Sequence, residues 1–269
     1  MTPTNAGLEA RLEGLSPALR APVEAMIARH SPLAEAAGAL IDAYHAIARA
    51  QTTDGCLYLC GNGGSMADAV HISAEMLKSY TLPRPLGDDL CARLAAAGPD
   101  GEMLGHALER GLRAMVLGLN HSLSSALEND VATPAVGYAQ ELLVMARPGD
   151  VLLGISTSGN ARNVCYAAHV ARALGLIVVS LTGAGGGRLV TLADIAVRAP
   201  AAQTDRVQEL HVHLYHCLCE MLEICFFGQS SCAYDPASGY ARFRKSSTVS
   251  MEMRPYSPRS RRCRSPDTT

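Results

Sequence analysis

Four short apolar runs, each closed by Gly, Asn or Ser, place the tightest constraint on how this chain can fold. Residues 57–59, 114–119, 151–155 and 176–181 are apolar almost throughout, and Ile195-Ala196-Val197 is a weaker fifth run. Strands that are apolar on both faces suit a parallel sheet covered on both sides. Helical segments are predicted between them, over 67–77, 136–146 and 161–174. The chain up to about residue 51 also reads as helical: within 32–50, Leu33, Ala37, Leu40, Ile41, Tyr44 and Ile47 recur at helical spacing. The expected fold is α/β, a doubly wound sheet behind an N-terminal helical segment. Ligands of such a sheet bind outside the carboxyl ends of its strands.

Two turns stand at such ends. In Gly61-Asn62-Gly63-Gly64-Ser65, glycines let the backbone approach a ligand, the following helix offers unpaired N–H groups to an anion, and Ser65 is expected to cap it. The turn matches neither the dinucleotide fingerprint nor the P-loop. Ser156-Thr157-Ser158-Gly159-Asn160 brings three hydroxyls to a second helix start. Hydroxyls and amides without a nearby Lys suit the phosphate of a small metabolite better than a nucleoside triphosphate. Helix capping by Ser158 or Asn160 is the plain structural alternative. A third strand-end turn, 182–187, carries no distinctive chemistry.

Composition narrows the class. The 269 residues, 48% hydrophobic and 18% charged, can bury a substantial core. No apolar run approaches the roughly 20 residues that span a bilayer, and residues 1–20 lack the pattern of a secretory signal; a cytoplasmic enzyme or binding protein is expected. Nine scattered cysteines without a Cys-x-x-Cys pair suggest neither a disulfide framework nor a structural zinc site. Cys217 and Cys219 are expected to pack as small hydrophobes. The net charge of −2 hides a basic tail, with Arg242, Arg244, Lys245, Arg254, Arg259, Arg261, Arg262 and Arg264 against Asp235, Glu252 and Asp267. That Ser- and Arg-rich segment, 229–269, is expected to be disordered and solvated, leaving 1–228 as one domain. Neither a membrane nor a nucleic acid is the expected partner.

His71 and Glu75, four residues apart after the first turn, share a helix face. The long helix predicted over 205–227 carries Gln208, His211, His213 and His216. In a regular helix Gln208 and His216 stand about 12 Å apart along the axis and about 80° apart around it, which does not bring both to one small ion. A sugar-length substrate, an irregular helix start or two contributing subunits would remove the difficulty.

The run from Cys60 to Ser65, His71 with Glu75, the stretch from Gly149 to Asn160, and Asp205-Arg206-Val207-Gln208-Glu209 with His216 together resemble the sedoheptulose 7-phosphate isomerases. These phosphoheptose isomerases belong to the sugar isomerase (SIS) superfamily, and the resemblance covers about 34–227. It implies a flavodoxin-like, five-stranded parallel SIS domain, assembled as a homotetramer with active sites at subunit interfaces. Matching positions imply that Asn62, Gly63, Gly64, Ser65, Glu75, Asn120, Ser156, Thr157, Ser158 and Gln208 hold the phosphosugar. The resemblance also implies zinc on His71, Glu75, Gln208 and His216, with Glu75 and His216 as the acid–base pair. A ketose phosphate becomes an aldose phosphate when a base moves a proton between neighbouring carbons through an enediol. His216 is the expected base and Glu75 the proton donor to oxygen.

Departures from the family pattern bear on the substrate. Ala161 stands where a phosphate-contacting Ser is common, Asn120 where an Asp is common and Ser79 where an Arg is common; extra residues fall around 86–111. A non-catalytic SIS protein, binding a phosphosugar or a replication initiator, is the alternative. The initiator-binding relatives lack counterparts of Glu75 and His216, so the presence of both here favours an enzyme.

Overall fold

The computed structural model describes residues 3–228 and the backbone of two short antiparallel strands, β6 (Cys232–Tyr234) and β7 (Ala241–Phe243). The remainder of the basic tail, with the disorder expected of it, lies outside the described residues. Three helices lead the chain, α1 (Pro3–Glu13), α2 (Pro17–Arg29) and α3 (Ala34–Thr52). The order is then β1 (Leu57–Cys60), α4 (Gly64–Leu77), α5 (Asp88–Ala95), α6 (Pro99–Ala107), β2 (Ala114–Val116), α7 (His121–Asp130) and α8 (Gly137–Met145). It closes with β3 (Val151–Ser156), α9 (Arg162–Ala173), β4 (Ile177–Thr182), α10 (Gly187–Leu192), β5 (Ile195–Arg198) and the long α11 (Thr204–Phe227).

The five strands form one parallel sheet in the order β2-β1-β3-β4-β5. The expected doubly wound, flavodoxin-like arrangement is therefore present, with its topological switch between β1 and β3. Strand side chains alternate between faces, and here both faces are dry. Leu57, Leu59, Val151, Leu153, Ile155, Val179 and Leu181 pack with α3 and α11, whereas Tyr58, Cys60, Leu152 and Val178 pack with α8 and α9. That two-sided burial is why the strands read as unbroken apolar runs.

Three local expectations need correction. The second strand stops at Val116, not at residue 119, because Gly118 turns the backbone away at φ +87°. Helix α4 begins at Gly64 with Gly63 as its cap, φ +54°, and no side chain caps it; Ser65 instead faces inward, buried. Neither Ser158 nor Asn160 caps α9, whose cap residue is Ala161. The Ser158 hydroxyl accepts from Asn160 N, and Asn160 Oδ1 accepts from Arg188 N.

The extra segment folds as a helical hairpin, α5 against α6, whose neck is closed by a bridge between Pro85 and Glu109. Arg84 and Glu223 bind that neck to the core. They form an ion pair, Nε to Oε1 at 2.9 Å, with both side chains at most 1% exposed. Glu223 also accepts from the backbone N–H groups of Tyr80, Thr81 and Leu82 and from the Thr81 hydroxyl. Burial alone would raise its carboxyl, yet these donors and Arg84 hold it below the usual range. The seven cysteines among the described residues are free thiols, six of them buried. Burial pushes Cys56 up to about 11 and Cys60 and Cys217 up to about 12, so they stay protonated and serve as packing.

Candidate active site

The loops at the carboxyl ends of the strands build one edge of the site. Residues 61–65 follow β1, Asn120 follows β2, and Ser156 ends β3 with Thr157-Ser158 after it. The first and third of these loops flank the topological switch, where a doubly wound sheet leaves its ligand crevice. Tyr138 donates to Gly61 O at 2.6 Å and lies 3.1 Å from Asn62 Oδ1. Asn62 and Asn163 exchange amide hydrogen bonds at 2.8 Å in both directions, tying the glycine turn to the first turn of α9. Tyr138 and Asn163 also line a cleft of about 460 Å³ between α7, α8 and α9. The hydroxyl turn is held from its other side, where Gly183 N donates to Thr157 O and Leu189 N to Gly159 O. Gly159 has φ +67°, and a β-carbon there would collide with the backbone of Gly186; the close approach of the two turns requires glycine. Asn120 caps α7, accepting from Leu123 N at 3.0 Å.

Helices α4 and α11 supply the chemistry. They pack side by side, so that Gln208 lies over Gly64 near the start of α4 while His216 reaches Glu75 near its end. Glu75 Oε1 is 3.1 Å from His71 Nε2 and 3.2 Å from His216 Nε2. Three ligand atoms, one each from His71, Glu75 and His216, all lie within 4.8 Å of one another. Glu75 is buried and its Oε2 has no hydrogen-bond partner, whereas His71 is about half exposed. A buried carboxylate oxygen left without a donor is costly, which suits an atom reserved for a substrate or a cation. The Arg84 guanidinium donates to the carbonyls of Glu75 and Met76, each at 2.9 Å, and so fixes the backbone beneath the carboxylate. Tyr80 stacks on His216 with ring centroids 5.6 Å apart and planes 11° apart.

Of the residues singled out from sequence, the structure thus brings together His71, Glu75 and His216, and separately the two phosphate-type turns. It does not bring Gln208 to His216. Helix α11 is unbroken through both, so the irregular start that would have joined them is absent, and they stand about 12 Å apart along the axis. Sequence reasoning missed Tyr138, Asn163, Tyr80, Arg84 and Tyr215. Only Tyr215 carried a signal, by its place next to His216.

Fold and site define a doubly wound phosphosugar-type protein with a carboxylate and two imidazoles gathered beside the ligand edge. The family model for the SIS domain matches residues 109–183. A phosphoheptose isomerase from Akkermansia muciniphila is 34% identical over 172 residues, 64% of this chain and 77% of that protein. One from Methylibium petroleiphilum is 34% identical over 193 residues, 71% of this chain and 84% of that protein. The solved phosphoheptose isomerase of Neisseria gonorrhoeae superposes with a TM-score of 0.54 at 30% identity, over 68% of this chain and 85% of that one. The chain belongs to the phosphoheptose isomerase family.

Proposed function

We propose that the chain isomerises sedoheptulose 7-phosphate to D-glycero-D-manno-heptose 7-phosphate, the first step towards a nucleotide-activated heptose. The single observation that carries this reading is the Glu75 carboxylate shared between His71 and His216, in a chain of the phosphoheptose isomerase family.

In this reading the phosphate sits against the amides of Asn62, Gly63 and Gly64 at the start of α4 and the hydroxyls of Ser65, Ser156, Thr157 and Ser158. The sugar runs along α4 towards the triad. His71 is two turns from Gly64, about 10 Å along the axis, a span that an extended seven-carbon phosphosugar covers, and Gln208 and Asn120 read its hydroxyls between the two ends. His216 Nε2 takes the proton from the carbon next to the ketone and returns it to the former carbonyl carbon. Glu75 moves the second proton between the two oxygens. Such proton transfers supply about 10²–10⁴-fold each.

The donor set also fits zinc: two imidazoles and a carboxylate whose free oxygen is buried and unpartnered. His71, Glu75 and His216 would hold it, His216 through a nitrogen that is then not free to act as the base, and it would stabilise negative charge on the enediol oxygens as a Lewis acid. Gln208 joins that set only if a second subunit or the substrate bridges the gap. A homotetramer with sites at subunit interfaces is supported by apolar side chains around the triad. Val70 and Leu77, 42% and 54% exposed, stand on α4 on either side of His71 and Glu75. Among the described residues no helix is long and apolar enough to cross a membrane, in keeping with a cytoplasmic enzyme.

Proton NMR of the protein with sedoheptulose 7-phosphate, alongside fructose 6-phosphate, tests the assignment. An aldoheptose 7-phosphate formed from the first substrate and little product from the second is expected. Turnover of the hexose alone would move the assignment to another phosphosugar, and binding without turnover of either would favour a regulatory SIS module.

A further inference from the structure

The His71 ring uses only Nε2 on the Glu75 side. Its Nδ1 lies 3.1 Å from the hydroxyl of Tyr215, and the two rings meet edge to face. Tyr215 is buried on α11. Asp68 is the other group it meets. That residue lies one turn before His71 on the same face of α4, and hydrogen bonding with Tyr215 affects the acidity of both. Asp68 is 9% exposed, and its Oδ2 is buried without a hydrogen-bond partner. Burial pushes its carboxyl up, with His71 and the Tyr215 hydroxyl pulling the other way.

We propose that Tyr215 is the positioning residue that, with Asp68 behind it, sets which nitrogen of His71 faces the active site. This rests on the reading of His71 as a site residue. A carboxylate can only accept, and a neutral imidazole carries one N–H. When the Tyr215 O–H is given to Asp68, its oxygen accepts the Nδ1–H of His71. Nε2 then presents its lone pair toward Glu75 Oε1 and His216, where a shared proton or a cation relieves the facing lone pairs. An imidazole that binds a metal gains basicity and a fixed tautomer from such a partner on its other nitrogen. Nothing else in the described contacts of His71 holds Nδ1.

The test is Tyr215→Phe, which keeps the ring and removes one oxygen, with Asp68→Asn as a second variant should the first fold poorly. In metal-free protein at pH 8, long-range proton–nitrogen NMR reads the His71 tautomer; the expected result is Nδ1–H in the wild type and a shift to Nε2–H in Tyr215→Phe. Zinc affinity, measured by competition with a chromophoric chelator, should fall about 10–100-fold in either variant, and kcat should fall with KM little changed. Wild-type tautomer and zinc affinity in both variants, with His71→Ala losing zinc, would overturn the positioning role and leave the site intact. Full zinc binding and turnover in His71→Ala would instead overturn the reading of the site on which it rests.

Discussion

Arg84 and Glu223 meet as an ion pair sealed from solvent, 2.9 Å from Nε to Oε1, under the end of the helix that carries Glu75. The other two guanidinium nitrogens hold the carbonyls of Glu75 and Met76. Removing one partner leaves the other charge buried and alone, which costs about 3–5 kcal/mol. Arg84→Met is thus expected to lower the urea midpoint sharply. The pair of changes Arg84→Met and Glu223→Leu should recover part of that loss, because no uncompensated charge remains. A single variant as stable as the wild type would show that the pair does not clamp this region.

Asn62 is held by Tyr138 and Asn163 before any substrate arrives. Asn163→Ala removes both amide bonds to it and should raise KM for the phosphosugar several-fold while kcat changes little, the pattern of lost uniform binding. Equal loss in kcat and kcat/KM would place Asn163 in the chemical step instead.

Gly159 has φ +67°, with the Gly186 backbone where its β-carbon would go. Gly159→Ala should therefore destabilise by about 1–3 kcal/mol and weaken phosphate binding by separating the hydroxyl turn from the turn at 182–187. Thermal melts with and without inorganic phosphate measure both. Gly64→Ala is a useful contrast: its β-carbon meets only the end of the Gln208 side chain, so substrate affinity should suffer more than stability.

His211 is fully buried with neither ring nitrogen hydrogen-bonded, and burial lowers its pKa from 6.5 to about 4. Between these values the unfolded chain takes a proton that the folded one refuses, so stability falls as pH drops from about 6.5 toward 4. The loss is on the order of 3 kcal/mol. Asp68, raised to about 6, has the opposite sign: its contribution is present at low pH and is lost as pH rises through about 6. Denaturant titrations at pH 7 and pH 4.5 should show the wild type losing more stability than His211→Leu. Equal pH dependence in the two would exclude His211 as the source.

The sheet was legible because its strands are dry on both faces, which leaves unbroken apolar runs in the sequence. The end of β2 was not, since a glycine at positive φ, not a change in hydropathy, removes residues 117–119 from the sheet. His71 and Glu75 could be paired from their spacing, whereas His216 was one of several candidates on the last helix and was joined to them only through the family resemblance, because nothing local ties it to α4. Arg84 and Glu223 were invisible as a pair: they are 139 residues apart, and in sequence a buried charge looks like a solvated one. Gln208 shows the reverse. Its distance from His216 followed from helical rise alone, and the unbroken helix kept it.

The most direct test of Glu75 and His216 as the acid–base pair is turnover of sedoheptulose 7-phosphate in D2O by the wild type, Glu75→Gln and His216→Ala, followed by NMR. The wild type should form the aldoheptose phosphate and place deuterium from solvent at the carbon that receives the proton. Both variants should bind the sugar phosphate yet give neither product nor exchange. Product and exchange at the wild-type rate in either variant would contradict the account.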